Sequence, residues 1–124
     1  MAKRILVIDD ELELVKAVEV RLKASGYEVM VAFDGLAGIS KVKEAKPDLI
    51  LLDIIMPKMD GYEVCKKLMA DPETKDIPIV IFSASQERVL EAKCKELGIT
   101  DFIVKPFETN DLLNTVNEVL KKED

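Results

Sequence analysis

Three acidic residues, one hydroxyl and one amine stand at matching places along this chain. Asp9 and Asp10 follow the apolar run Ile5–Ile8, Asp53 follows Leu49–Leu52, Ser83 follows Ile79–Phe82, and Lys105 follows Phe102–Val104. Taken singly, each has an ordinary explanation. Asp9 or Asp10 suits a helix N-cap, Ser83 a turn, and Lys105 a solvated surface. Taken together, they ask for a shared site. If the apolar runs are parallel strands, all four ends lie on one edge of the sheet, the edge where open α/β folds bind ligands. Three carboxylates a few ångströms apart repel, and one takes up a proton unless a cation sits among them. Only oxygen ligands are on offer, so that cation is hard: Mg²⁺ by preference, or Mn²⁺. Mg²⁺ is commonly held by one or two carboxylates plus a phosphate oxygen. Lys105 and the Ser83 hydroxyl then supply donors for the remaining phosphoryl oxygens. These are the ingredients of phosphoryl transfer, where positioning and charge neutralisation carry nearly all the catalysis. Asp53, between metal and lysine, is the nucleophile, since carboxylates form aspartyl-phosphates.

The elements that must position these residues follow from the apolar pattern. Ile5–Ile8, Val29–Phe33, Leu49–Leu52, Ile79–Phe82 and Phe102–Val104 read as strands. The first, third and fourth are nearly continuous in Val, Ile and Leu, the mark of strands buried on both faces of a parallel sheet. Helical spacing fills the intervals. Leu14, Val18 and Leu22 recur before Gly26, Ile39 and Val42 before Pro47, and Cys65, Leu68 and Met69 before Asp71-Pro72. Leu90, Cys94 and Leu97 precede Gly98, and Leu112, Leu113, Val116, Val119 and Leu120 follow Thr109 or Asn110 as N-cap. The order is (βα) five times, an α/β fold of five parallel strands with helices on both faces.

Composition narrows the chemistry. The 124 residues fit one domain spanning residues 1–124, since domains most often run to roughly 100–150 residues. Apolar residues make up 48% of the chain, too many for a disordered one. No apolar run approaches the roughly 18–20 residues that cross a bilayer, and no signal peptide precedes the first strand. With 18 basic against 24 acidic side chains and a net charge of -6, direct binding of nucleic acid is not expected. Cys65 and Cys94 lie far apart and read as buried free thiols of a reducing cytoplasm. The chain contains no histidine at all. That excludes Ser-His-Asp and Cys-His nucleophile systems, a histidine-ligated zinc, and phosphorylation on a histidine of its own.

Five motifs, in order, resemble the receiver domain of bacterial response regulators: Ile8-Asp9-Asp10-Glu11, Pro47 to Pro57 around Asp53, Met59-Asp60-Gly61, Phe82-Ser83-Ala84 and Lys105-Pro106-Phe107. The resemblance covers essentially the whole chain. It implies a flavodoxin-like fold with strand order 2-1-3-4-5. It also implies that Asp53 accepts a phosphoryl group from a phosphohistidine on a sensor histidine kinase or a histidine phosphotransfer protein. By the family pattern Asp10, Asp53 and the backbone carbonyl of Ile55 ligate Mg²⁺, with Asp9 helping through water. Ser83 stands at the family's Thr/Ser position and Lys105 is its phosphate-contacting lysine. The bond before Pro106 is often cis in the family.

Some positions depart from the pattern. Phe102 occupies the switch position, commonly Tyr, so a signal through that hydroxyl is absent, while ring rotation or a plain core role both remain open. Ile55 and Ser85 sit at two variable positions that tune the life of the phosphoryl group. Gly38, inside a helix, has no evident purpose. The resemblance implies output by binding a downstream protein through the fourth helix, fifth strand and fifth helix, with no output domain in this chain and a monomer or a weak phosphorylation-dependent dimer. The runner-up is a small phosphatase with an aspartyl nucleophile, in which Glu11 would serve as the acid.

Overall fold

A computed structural model describes residues 2–56 and 58–123. The chain alternates strictly: β1 (Arg4–Ile8), α1 (Leu12–Ala24), β2 (Glu28–Ala32), α2 (Gly35–Ala45), β3 (Leu49–Leu52), α3 (Gly61–Ala70), β4 (Ile79–Ser83), α4 (Glu87–Leu97), β5 (Phe102–Val104) and α5 (Thr109–Glu123). All strand pairings are parallel, and the sheet order is β2-β1-β3-β4-β5. This is the α/β architecture expected. No helix among the described residues is long and apolar enough to cross a membrane.

The two-residue period of a strand explains the layers. In β1 and β3, Leu6, Ile8, Ile50 and Leu52 face one side, where they pack with Val42 of α2, Val64, Cys65 and Leu68 of α3, and Leu90 and Cys94 of α4. Ile5, Val7, Leu49 and Leu51 face the other, against Val15, Val18 and Leu22 of α1 and Leu112 and Val116 of α5. All eight strand residues are fully buried. Burying such side chains stabilises the fold by about 1.5–3 kcal/mol each. Strands without a solvent face therefore read as unbroken apolar runs.

β1 begins one residue early, at Arg4, and β4 runs on through Ser83, which is thus the last residue of its strand; two further boundaries differ from expectation. β2 runs from Glu28 to Ala32 rather than from Val29 to Phe33. Its partner β1 ends at Ile8, which pairs with Ala32, and Asp34 turns out to cap α2 by accepting from the Ala37 N–H at 2.8 Å. Phe33 is left outside the ladder, exposed. Thr109 is the first helical residue of α5 rather than its cap, and the preceding Glu108 carbonyl accepts from Asp111 and Leu112.

Candidate functional site

Register brings the strand ends together. Ile8 pairs with both Ala32 and Leu52, so the next residues, Asp9 and Asp53, emerge side by side. The ladder runs one step further: the Asp9 N–H donates to the Ala32 carbonyl at 3.1 Å and the Asp53 N–H to the Ile8 carbonyl at 3.0 Å. On the other side Ser83 pairs with Val104, and the Lys105 N–H donates to the Ser83 carbonyl at 2.8 Å. A lysine that opens a loop is thereby tied to the sheet. The Lys105–Pro106 peptide bond is cis.

The far wall is α3. Asp60 caps it, accepting from the Glu63 N–H at 3.0 Å, and the Gly61 N–H donates to the Ile54 carbonyl at 2.8 Å. A Cβ on Gly61 would collide with the Asp53 carbonyl and lie 2.5 Å from Ile54 Cα. Only glycine lets the helix start this close to the segment after β3.

Side chains complete the arrangement. One carboxylate oxygen from each of Asp9, Asp10 and Asp53 falls within 4.8 Å of the others. Asp9 and Asp53 are buried while Asp10 is exposed. Lys105 Nζ lies 2.6 Å from Asp9 Oδ2, 2.8 Å from Glu11 Oε1 and 3.5 Å from Asp53 Oδ2. It also sits 4.7 Å from the centre of the Phe82 ring, whose face favours a cation. Backbone donors hold the acids: the Glu11 N–H reaches Asp9 Oδ1 at 2.9 Å and the Ile55 N–H reaches Asp53 Oδ1 at 3.1 Å. The Ser83 and Ser85 hydroxyls are 3.3 Å apart.

The electrostatics are unbalanced. Burial, assisted by the Asp9 charge and opposed by Lys105, pushes the Asp53 carboxyl up to about 6. Burial raises Asp9 as well, against the pull of its Lys105 bond. Burial would lower Lys105, but its bonds to Asp9 and Glu11 outweigh that and leave it raised and charged. Asp9, Asp53 and Glu11 thus share one ammonium, and Asp10 adds a further carboxylate beside the two other aspartates. A hard divalent cation fits this all-oxygen donor set, because it removes the repulsion that burial makes costly.

Comparison with known proteins agrees with this geometry. Residues 5–117 match the response regulator receiver domain family. The chain belongs to that family. It is 38% identical over 122 residues to the alkaline phosphatase synthesis transcriptional regulatory protein PhoP of Bacillus subtilis, covering 98% of this chain and 50% of that one. It is 36% identical over 121 residues to the DNA-binding dual master transcriptional regulator RpaA of Synechocystis, again covering 98% of this chain and 50% of the relative. The receiver therefore spans about half the length of the curated relatives it matches. The solved structure of the chemotaxis protein CheY4 of Vibrio cholerae superposes with a TM-score of 0.89 at 31% identity, over 96% of this chain and 99% of that one.

Of the residues singled out in the sequence, Asp9, Asp10, Asp53 and Lys105 meet in one cluster of the receiver, and Ser83 joins it through the Lys105 backbone. The N-cap explanation for Asp9 and Asp10 does not apply, since the cap position of α1 is Glu11. Nor is Lys105 a surface lysine, its side chain being 9% exposed. Phe102 lies apart from the acids, half-buried on β5 against the α2–α4 core. Ile55 turns its side chain to solvent, 59% exposed, while its backbone holds Asp53. Sequence reasoning missed two contacts. Glu11 is engaged by Lys105 rather than free to act as an acid, and Ser85 reaches the Ser83 hydroxyl despite its short side chain. The adjacency of Glu11 to Asp9-Asp10 was a signal for the first of these.

Proposed function

We propose that this receiver is a phosphorylation-dependent switch in which Asp53 takes a phosphoryl group from the phosphohistidine of a sensor histidine kinase or histidine phosphotransfer protein. The observation that carries the reading is a buried carboxylate within the acidic cluster, 3.5 Å from a nearly enclosed ammonium. With its carboxyl near 6, Asp53 is mostly ionised at neutral pH and able to attack. A carboxylate oxygen bonds to phosphorus as the phosphorus–nitrogen bond breaks, and the electron pair leaves on the imidazole, which takes up a proton. Asp9, Asp10 and Asp53, with the Ile55 carbonyl, would hold Mg²⁺. Bound there, the ion neutralises the carboxylates and the phosphoryl oxygens that approach them.

Lys105 then pairs with one phosphoryl oxygen and the Ser83 hydroxyl donates to another. Movement of Ser83 on β4 reaches Phe102 on β5, which pairs with Ile81, and so alters the α4-β5-α5 face that meets a downstream protein. The acidic surplus of the chain suits protein rather than nucleic acid as the partner of these residues. The receiver turns over no substrate beyond uptake and slow loss of its own phosphoryl group.

The test uses acetyl phosphate with Mg²⁺ and intact-protein mass. One phosphoryl group should appear on the parent, and none on Asp53→Asn. Continuous release of inorganic phosphate with no phosphoprotein accumulating would point to a phosphatase instead.

A further inference from the structure

We infer that Glu11 is a latch on Lys105, occupying the ammonium until a phosphoryl group arrives and thereby setting how fast Asp53 is phosphorylated. This rests on the receiver reading of Asp53. An ammonium has three donors, and here three carboxylates surround it: Asp9 at 2.6 Å, Glu11 at 2.8 Å and Asp53 at 3.5 Å. Its two hydrogen bonds go to Asp9 and Glu11, and Asp53 stands beyond them as an ion pair. For Lys105 to turn a second donor onto a phosphoryl group carried by Asp53, one of the two hydrogen bonds must yield, and only the one to Glu11 is built to do so. Asp9 is fully buried, Asp53 is the acceptor itself, and Lys105 is nearly enclosed, whereas the Glu11 side chain is 58% exposed and can swing into water.

The backbone supports the same assignment. Glu11 occupies the N-cap position of α1, with φ -86 and ψ 95, yet its side chain makes no capping bond. Cap side chains ordinarily accept from the first helical N–H groups. This one reaches across to a residue 94 positions away instead. Glutamate is long enough to span that gap, and aspartate at the same place is one methylene shorter.

Phosphoryl uptake from acetyl phosphate isolates the effect. Asp53 bonds to phosphorus, the phosphorus–oxygen bond to acetate breaks, and acetate departs with the electron pair. The time course of phosphoprotein mass is compared for the parent, Glu11→Gln and Glu11→Asp at one acetyl phosphate concentration and saturating Mg²⁺. Both variants should take up the group faster, by about three- to tenfold. Glu11→Asp retains the charge, so its acceleration separates a released lysine from weaker repulsion of the anionic donor. In metal-free protein, NMR of the Lys105 ammonium protons should show faster exchange with water in both variants, a change that a merely structural Glu11 would not produce. Equal uptake rates in all three proteins overturn the latch. Acceleration in Glu11→Gln alone, with Glu11→Asp like the parent, overturns it too, because charge rather than reach would then be the cause. A parent that takes up no phosphoryl group overturns the receiver reading, and the latch with it.

Discussion

Asp53 is buried among acids, and its carboxyl rises from 3.8 to about 6 as a result. A carboxyl raised in the folded state binds a proton there more tightly than in the unfolded chain. The proton therefore stabilises the fold fully below about pH 4, and that stabilisation is lost as pH rises through about 6. In EDTA the urea midpoint of the parent should fall across this window, and Asp53→Asn should flatten the fall. At pH 7 without metal the asparagine variant should be the more stable by about 1 kcal/mol or more. Coincident midpoints there would mean that the cluster carries no strain. The neighbouring Ile55 sets a different quantity. Its exposed apolar side chain offers an attacking water no hydrogen bond, so the aspartyl-phosphate should decay slowly. Ile55→Asn should speed its loss severalfold, equivalent to about 1 kcal/mol in the barrier. Loss of phosphoryl signal at fixed Mg²⁺ measures it, and a rate at or below the parent's would remove water access as the cause.

At the scale of elements, the site depends on how closely helices approach strand ends. Gly61 allows α3 to begin against the carbonyl of Asp53. Gly61→Ala should force that segment away, costing about 1–3 kcal/mol in urea denaturation and slowing phosphoryl uptake together. A variant of parental stability and rate would show that the segment yields without consequence. Gly38 has a parallel role: a Cβ there would lie 2.6 Å from Ile8 Cδ1, so the glycine lets α2 settle on the strand that ends in Asp9. The strands themselves are legible in the sequence because burial on both faces leaves unbroken runs such as Leu49–Leu52. The acidic cluster is legible because parallel strands share one edge for their carboxyl ends. Gly38 is not, since its reason lies in a side chain 30 residues earlier in the chain. The end of β2 is not legible either, because the length of β1 decides it. Adjacency to Asp9-Asp10 placed Glu11 near the site, but its partner 94 residues away depends on side-chain reach, which spacing along the chain does not encode.

The whole molecule is a sheet acting as a partition between two unequal cores, and its thiols lie on one side only. Cys65 of α3 and Cys94 of α4 belong to the α2–α4 layer, with burial pushing their thiols up to about 12 and about 11. Reaction requires the thiolate, so neither residue reacts without opening. The α1–α5 layer contains no cysteine. The receiver thus carries two native clocks. Cys65 sits in the helix whose first residue abuts Asp53, so any opening that exposes it should disturb the metal cluster. Cys94 sits in α4, which starts beyond β4 and contributes no residue to the acidic cluster. With Mg²⁺ at about 100 times its Kd, openings that release the ion become roughly 100-fold rarer. A thiol reagent followed by peptide mass should then find Cys65 strongly slowed by Mg²⁺ and Cys94 little changed. Equal slowing at both positions would mean that α3 and α4 unfasten as one piece. Because the two labels are already in place, the loosening of each helix on phosphorylation can be timed in the unaltered chain.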